Sequence, residues 1–190
     1  MQPCNESTHT KQMVEPTVRG LTVEPPRLSE APDWPRRHQG VTISVGVADG
    51  VVARGGRIRT SGLGSCVAVL LTDEQLDIGG LIHAMLPAPD EQPVDEVGRY
   101  VTTAVPSLIA AMEREGVTSE EMAATIVGGA TMLEFSAVAE SIGDRNTSTA
   151  ESVLADADIE VVDRHVGGTS GRSVSCDLEA GEIEVHTAGE

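Results

Sequence analysis

Apolar and polar positions follow a strand period in the first half of the chain. Residues 41–49, VTISVGVAD, alternate apolar β-branched residues with small or polar ones, which predicts a strand. Residues 67–73, VAVLLTD, and residues 78–86, IGGLIHAML, are nearly continuous apolar runs separated by a short polar turn. Such runs are typical of neighbouring strands buried on both faces. They predict the centre of a sheet.

A helical period follows these strands. Residues 95–115 carry apolar side chains at helical spacing, with Gly116 as a stop signal and Pro106 as a kink or a late start. Thr118 and Glu121 have the spacing of a capping box, which predicts a short helix at this point.

The last third of the chain predicts one more helix and four strands. ATIVGGA supplies a buried strand, and residues 130–143 are ambiguous between a loop and a short helix. A helix is predicted over residues 146–155 with Asn146 as its cap. The remaining strands, joined by turns that contain glycine, are IEVVDRHV, GRSVSCDL and EIEVHTA.

Helices and strands interleave early in this order, and strands cluster late. The order predicts an α/β fold in a single domain, a sandwich of helices packed on a mixed β-sheet, rather than a doubly wound fold. A length of 190 residues also suits one domain better than two. Residues 1–39 are rich in proline with little periodic apolar pattern, so we expect a flexible tail there and the folded domain over residues 40–190. Trp34 is expected to dock on the domain edge.

Charge and cysteine content narrow the class of protein. The 30 acidic and 13 basic residues give a formal net charge of -17, which disfavours nucleic-acid binding and suggests a cytoplasm of high salt. The three cysteines, Cys4, Cys66 and Cys176, form no CxxC motif, so neither a zinc site nor a dithiol centre is predicted. No signal peptide or membrane span is recognisable, and we expect a soluble cytoplasmic protein.

The segment GLGSC, residues 62–66, holds the candidate chemistry. Cys66 could attack an acyl carbon as a thiolate if His83, on the adjacent predicted strand, took its proton and Thr60 oriented the imidazole. The backbone amides of Gly62, Gly64 and Ser65 are the candidate donors to the developing oxyanion.

Each of these residues also has a purely structural interpretation. A lone cysteine ahead of an apolar strand is more often a core residue than a nucleophile. A lone histidine in an apolar run is more often a satisfied core residue, and a threonine before a turn is commonly a cap. GLGSC alone predicts only a tight turn.

The order of Thr60, a glycine-rich turn, Cys66, a strand and GGLIHAMLP resembles CheD, the family of chemoreceptor glutamine deamidases of bacterial and archaeal chemotaxis. The resemblance continues through most of residues 41–188, in Tyr100, VGGATM (127–132), IGDRN (142–146), VGGTSGR (166–172) and the closing strand pair.

The resemblance implies that Cys66 is the nucleophile, His83 the general base and Thr60 the third member of a triad. It implies hydrolysis of glutamine amides, with glutamyl methyl esters entering by the same route, on the cytoplasmic helices of methyl-accepting chemoreceptors. It also implies a CheC-like phosphatase as a partner and no metal or organic cofactor. Two alternatives stay open: a noncatalytic adaptor that binds receptors or CheC, and a thiol hydrolase or transglutaminase acting on some other amide.

Overall fold

A computed structural model describes residues 36–37, 41–73, 75–90, 97–131 and 141–189. The predicted tail and the docking of Trp34 lie outside these residues, apart from Arg36–Arg37. That pair forms a short strand, β1, within the larger of two sheets. Arg36–Arg37 therefore pair with the folded domain, although they fall within the predicted tail.

The described residues form ten strands and two α-helices. In chain order they are β1 Arg36–Arg37, β2 Thr42–Ser44, β3 Gly50–Arg54, β4 Arg57–Leu63, β5 Val67–Asp73, β6 Ile78–Ala84, α1 Val101–Arg114, β7 Ala123–Gly128, α2 Ile142–Asp156, β8 Glu160–Val166, β9 Arg172–Asp177 and β10 Glu182–Thr187. Short 3-10 turns cover Val97–Arg99 and Ser119–Glu121.

The strands divide between two mixed sheets. The larger has the order β1-β3-β6-β5-β7-β8, and the smaller has the order β10-β9-β4-β2. Both helices pack on one face of the larger sheet, and the smaller sheet covers its other face. The α/β prediction is confirmed, and a second sheet is added to it.

Strand β5 shows why its apolar run is continuous. Val67, Val69 and Leu71 belong to the core cluster on the helix side of the larger sheet, whereas Ala68 and Leu70 belong to the cluster between the two sheets. A strand covered on both faces needs apolar residues at every position. The prediction that β5 and β6 lie at the centre of a sheet is confirmed, since they pair along their whole lengths.

The strand predicted over residues 41–49 is wrong beyond Ser44. Strand β2 ends there, and Ala48 adopts a positive φ of 60°, which an extended strand does not allow. The segment turns because its backbone pairs with β6: the Ala48 amide donates to the His83 carbonyl at 2.8 Å, and the His83 amide donates to the Asp49 carbonyl at 3.1 Å.

Two helix boundaries also differ from the predictions. Helix α1 begins at Val101, so Pro106 lies inside the helix and does not mark a late start. Helix α2 begins at Ile142 with Ser141 as its cap, whose Oγ accepts a hydrogen bond from the Asp144 amide at 3.0 Å. Asn146 is therefore not a cap but a fully buried residue within the helix.

The capping box at Thr118 and Glu121 is confirmed around the second 3-10 turn, where the Thr118 amide donates to the Glu121 carboxylate at 2.9 Å. Most of the ambiguous segment 130–143 lies outside the described residues. None of the helices in the described part of the chain is both long and apolar enough to cross a membrane.

Candidate active site

The turn that carries Cys66 joins the two sheets. We call residues 62–66 the cysteine turn; it leaves β4 of the smaller sheet and enters β5 of the larger one. Gly62 has a φ of +77°, which glycine adopts without strain, and the Gly64 amide donates to the Gly62 carbonyl at 3.0 Å. The buried Leu63 side chain anchors the turn in the core between the sheets.

Three successive carbonyls of the cysteine turn accept hydrogen bonds from the protein. These bonds are Ala130 amide to Gly64 carbonyl at 2.8 Å, Asn146 Nδ2 to Ser65 carbonyl at 2.7 Å, and Gly129 amide to Cys66 carbonyl at 2.8 Å. The turn is therefore held by the end of β7 and by one side chain of α2.

Sheet register brings His83 to the same layer as Cys66. His83 on β6 pairs with Ala68 on β5, and Cys66 precedes Ala68 by two positions, the repeat of side chains along one face of a strand. Cys66 packs against the cluster between the sheets, which also contains Ala68. Cys66 remains partly exposed, so a substrate can reach the thiol from solvent.

Thr60 on β4 contacts the imidazole from the smaller sheet. Its Oγ1 lies 2.8 Å from the Val45 carbonyl oxygen and 2.9 Å from His83 Nδ1. A carbonyl oxygen can only accept, so the single hydroxyl proton of Thr60 goes to Val45. Oγ1 then accepts from Nδ1, which assigns the ring proton to Nδ1 and leaves Nε2 as the basic nitrogen.

His83 Nε2 is buried and has no hydrogen-bond partner among the described residues. The Cys66 thiol is therefore not hydrogen-bonded to it in this structure. A buried polar atom without a hydrogen-bond partner costs stability. The Nε2 atom is therefore available to accept a proton from a group that approaches it.

Burial shifts the ionisation of both groups towards their neutral forms. It lowers the pKa of His83, and it raises the pKa of Cys66, an effect opposed by a hydrogen bond from the Cys66 backbone amide to the thiol. Both shifts favour the uncharged forms, a neutral imidazole and a thiol.

The chain matches the family model described as CheD chemotactic sensory transduction over residues 85–187. A probable chemoreceptor glutamine deamidase CheD of Natronomonas pharaonis is 38% identical over 150 residues, covering 78% of this chain and 90% of the relative. The chain belongs to the CheD family.

Other CheD relatives agree. The Haloarcula marismortui protein of the same description is 35% identical, over 77% of this chain and 85% of the relative. The Clostridium novyi protein is 34% identical, over 77% of this chain and 93% of the relative. Matches of this length cannot omit the stretch from Thr60 to His83. The crystal structure of Bacillus licheniformis hypothetical protein YfiH shares a TM-score of 0.40 and 13% identity over 72% of this chain and 63% of that chain, too low to carry an argument.

Two features of this CheD site were not predicted from the sequence. Val45 contributes a backbone carbonyl to the Thr60 hydroxyl, and no sequence pattern indicates a carbonyl contact. The sequence pattern predicts Asn146 as a helix cap. Its spacing from Ala150 and Leu154 also places it on the buried stripe of α2, and the structure shows it there. A polar residue on a buried stripe indicates that its side chain has hydrogen-bond partners inside the protein.

No group of three or more His, Cys, Asp or Glu side chains comes together in a metal-binding arrangement within residues 41–73, 75–90, 97–131 and 141–189.

Proposed function

We propose that this CheD chain hydrolyses glutamine side-chain amides of chemoreceptors to glutamate, with Cys66 as nucleophile, His83 as general base and Thr60 as the residue that orients His83. The observation that carries the proposal is that His83 Nε2 has no hydrogen-bond partner among the described residues. Thr60 sets the tautomer that leaves this nitrogen basic, and the strand register places Cys66 on the same face of the larger sheet as His83. The substrate class comes from the relatives, which are described as probable chemoreceptor glutamine deamidases.

The first half of the reaction forms a thioester. As the Cys66 sulfur attacks the carboxamide carbon, its proton passes to His83 Nε2, the ring nitrogen that the Thr60 contact leaves without a proton. The protonated imidazole then donates that proton to the amide nitrogen, which leaves as ammonia. The acyl group of the former glutamine remains on the sulfur.

The second half uses the same imidazole on water. His83 Nε2 takes a proton from a water molecule, which attacks the thioester carbon, and the proton returns to the departing sulfur. The balance is one glutamine and one water converted to one glutamate and one ammonia. A glutamyl methyl ester would follow the same route with methanol as the leaving group.

The oxyanion donors in this proposal are the backbone amides of Ser65 and Cys66. In a trans peptide the N–H points opposite to the carbonyl of the preceding residue. Because the Gly64 and Ser65 carbonyls are held by inward-facing donors, the next two amides point away from those donors. The Gly64 amide is already bonded within the turn, so we assign Gly62 and Gly64 to shaping the turn.

The cellular setting of the reaction follows from the same proposal. The substrate glutamines would lie on the cytoplasmic helices of methyl-accepting chemoreceptors, so the enzyme would work in the cytoplasm. A CheC-like phosphatase stays a predicted partner, and co-purification of the two proteins would test it.

The decisive experiment measures conversion of receptor glutamines by mass spectrometry. Wild-type protein, incubated with a purified cytoplasmic receptor fragment, should add about 1 Da per converted glutamine as NH2 becomes OH, with ammonia released. Cys66→Ala should add none, because it removes the sulfur that forms the thioester in this mechanism.

Cys176→Ala is the matched control. Cys176 is a buried cysteine of β9 whose pKa is raised to about 11 by burial, so its thiol takes no part in the reaction and activity should persist without it. Receptor binding without conversion, unchanged by Cys66→Ala, would favour the adaptor hypothesis. A crosslinked product would favour a transglutaminase.

A further inference from the structure

Asn146 connects the cysteine turn to the strand that carries the histidine. Its Nδ2 donates to the Ser65 carbonyl at 2.7 Å and to the Met85 carbonyl at 2.9 Å. Ser65 directly precedes Cys66, and Met85 follows His83 by two positions. One side-chain amide of α2 therefore holds both halves of the candidate active site.

The bond to Ser65 differs from the other two that hold the cysteine turn. Gly129 and Ala130 donate from their backbone, so a substitution at either position would retain the donor. The Ser65 carbonyl alone depends on a side chain. Removal of that side-chain amide therefore releases the Ser65 carbonyl.

The Ser65 carbonyl belongs to the same peptide group as the Cys66 amide. Because that group is planar, the direction of the carbonyl determines the direction of the N–H on its other side. Burial raises the pKa of the Cys66 thiol, and the Cys66 amide, which lies against that thiol, opposes the rise. An amide beside the attacking sulfur is well placed to donate to the oxygen of the carbon under attack.

We propose that Asn146 is a positioning residue that holds the Ser65–Cys66 peptide so that the Cys66 amide points at the oxyanion of the transition state. This inference rests on the proposed deamidation. Asn146 touches neither the thiol nor the imidazole through any hydrogen bond recorded among the described residues, and it acts through the peptide that it holds.

The surroundings of Asn146 support a donor role. The residue is fully buried, its two Nδ2 protons have two carbonyl acceptors, and its Oδ1 has no partner among the described residues. The unpartnered Oδ1 costs stability. An apolar side chain would fill the same space without that cost, so packing alone does not explain an amide here. The donor half of the side chain is what the site uses.

The test compares Asn146→Asp and Asn146→Ala with wild type in the receptor assay. Both variants lose the two donors, and the aspartate also sets an acceptor against two carbonyls at nearly unchanged volume. We expect kcat to fall by about 10²- to 10³-fold, the usual effect of losing an oxyanion donor, with KM unchanged.

Alkylation of Cys66 by iodoacetamide separates positioning from general disruption. That reaction forms no oxyanion, so in Asn146→Ala its rate at a pH where Cys66 is already a thiolate should stay at the wild-type level. The midpoint of its pH profile should move up, because the released amide no longer opposes the rise that burial causes in the pKa of Cys66. If alkylation of the thiolate slows in parallel with kcat, or if kcat is unaffected, the inference is overturned.

Leu154→Ala serves as the matched stability control on the same helix. Leu154 is fully buried two turns beyond Asn146, and its truncation should lower the melting temperature by about 4 to 20 °C while leaving kcat near wild type. A fall in kcat for Leu154→Ala equal to that of Asn146→Ala would also overturn the inference.

Failure of the proposed function gives a different pattern. Wild type would then release no ammonia, and the position of the Cys66 amide resonance in 15N-labelled protein becomes the readout. Asn146→Ala should shift that resonance and Leu154→Ala should not. An unmoved Cys66 amide in Asn146→Ala would exclude the positioning role independently of activity.

Discussion

The Thr60 hydroxyl decides the protonation of the histidine at the scale of single residues. Its only proton goes to the Val45 carbonyl, and the imidazole must therefore donate from Nδ1. The basic nitrogen is thereby placed on the side of the ring away from Thr60. In the proposed triad the Val45 carbonyl fixes the hydroxyl, and the hydroxyl oxygen accepts from His83 Nδ1 at the position where a carboxylate oxygen accepts in a Ser-His-Asp triad.

Replacing Thr60 tests this arrangement. Thr60→Val keeps the shape but removes the hydroxyl, so the imidazole can adopt the wrong tautomer, and kcat for deamidation should fall roughly 10²-fold. Thr60→Ser is the control, since it retains the hydroxyl and loses one methyl group worth about 0.8 kcal/mol of burial. Equal activity of the two variants, measured well below their melting temperatures, would contradict the orienting role.

At the scale of elements, the end of β7 shapes the cysteine turn. Gly128 has a φ of +113°, and a Cβ built there would lie 2.3 Å from the Cys66 carbonyl oxygen. Strand β7 can approach the turn closely enough for the Gly129 amide to bond the Cys66 carbonyl only because no side chain intervenes. Gly129 also has a positive φ, of 61°, so the chain turns where β7 ends.

Gly128→Ala should therefore displace the nucleophile. We expect a loss of stability greater than the roughly 1 to 2 kcal/mol that a left-handed backbone alone costs an alanine. We also expect loss of deamidation, measured by ammonia release. Gly181→Ala is the matched control, because its φ is +67° but no atom lies within 4 Å of an added Cβ. If the two variants melt at the same temperature with equal activity, the close approach at Gly128 has no consequence.

At the scale of the whole molecule, charge is the dominant feature. A formal net charge of -17 on 190 residues opposes compaction, and the repulsion acts over about 10 Å at 0.1 M salt but only about 3 Å at 1 M. The repulsion predicts a protein that is more stable at high salt.

Thermal unfolding in potassium chloride checks this prediction. Between 0.1 and 1 M salt the melting temperature should rise by about 2 to 4 °C for each kcal/mol of repulsion removed. The rise should diminish above about 1 M, where screening is nearly complete. Sucrose, which stabilises by exclusion without screening charge, is the control. A melting temperature independent of salt up to 1 M would contradict the interpretation.

Local patterns in the sequence determined much of this protein. The apolar runs of β5 and β6, the helical period of α1 and the capping box at Thr118 were predictable because each depends on residues close together in the chain. The side chains of Thr60, Cys66 and His83 were identifiable as candidates because few residue types can perform acyl transfer.

Only the tertiary structure decided how these side chains meet. The smaller sheet was not predicted, because pairing β4 with β9 joins strands separated by more than 100 residues and no local pattern specifies the partner. Asn146 bonds Ser65 and Met85, which are 81 and 61 residues away in the chain. The local sequence pattern does not indicate these contacts, because it suits a helix cap equally well. Sequence specifies which groups are present, whereas long-range packing specifies their distances and protonation, because both depend on neighbours that are remote along the chain.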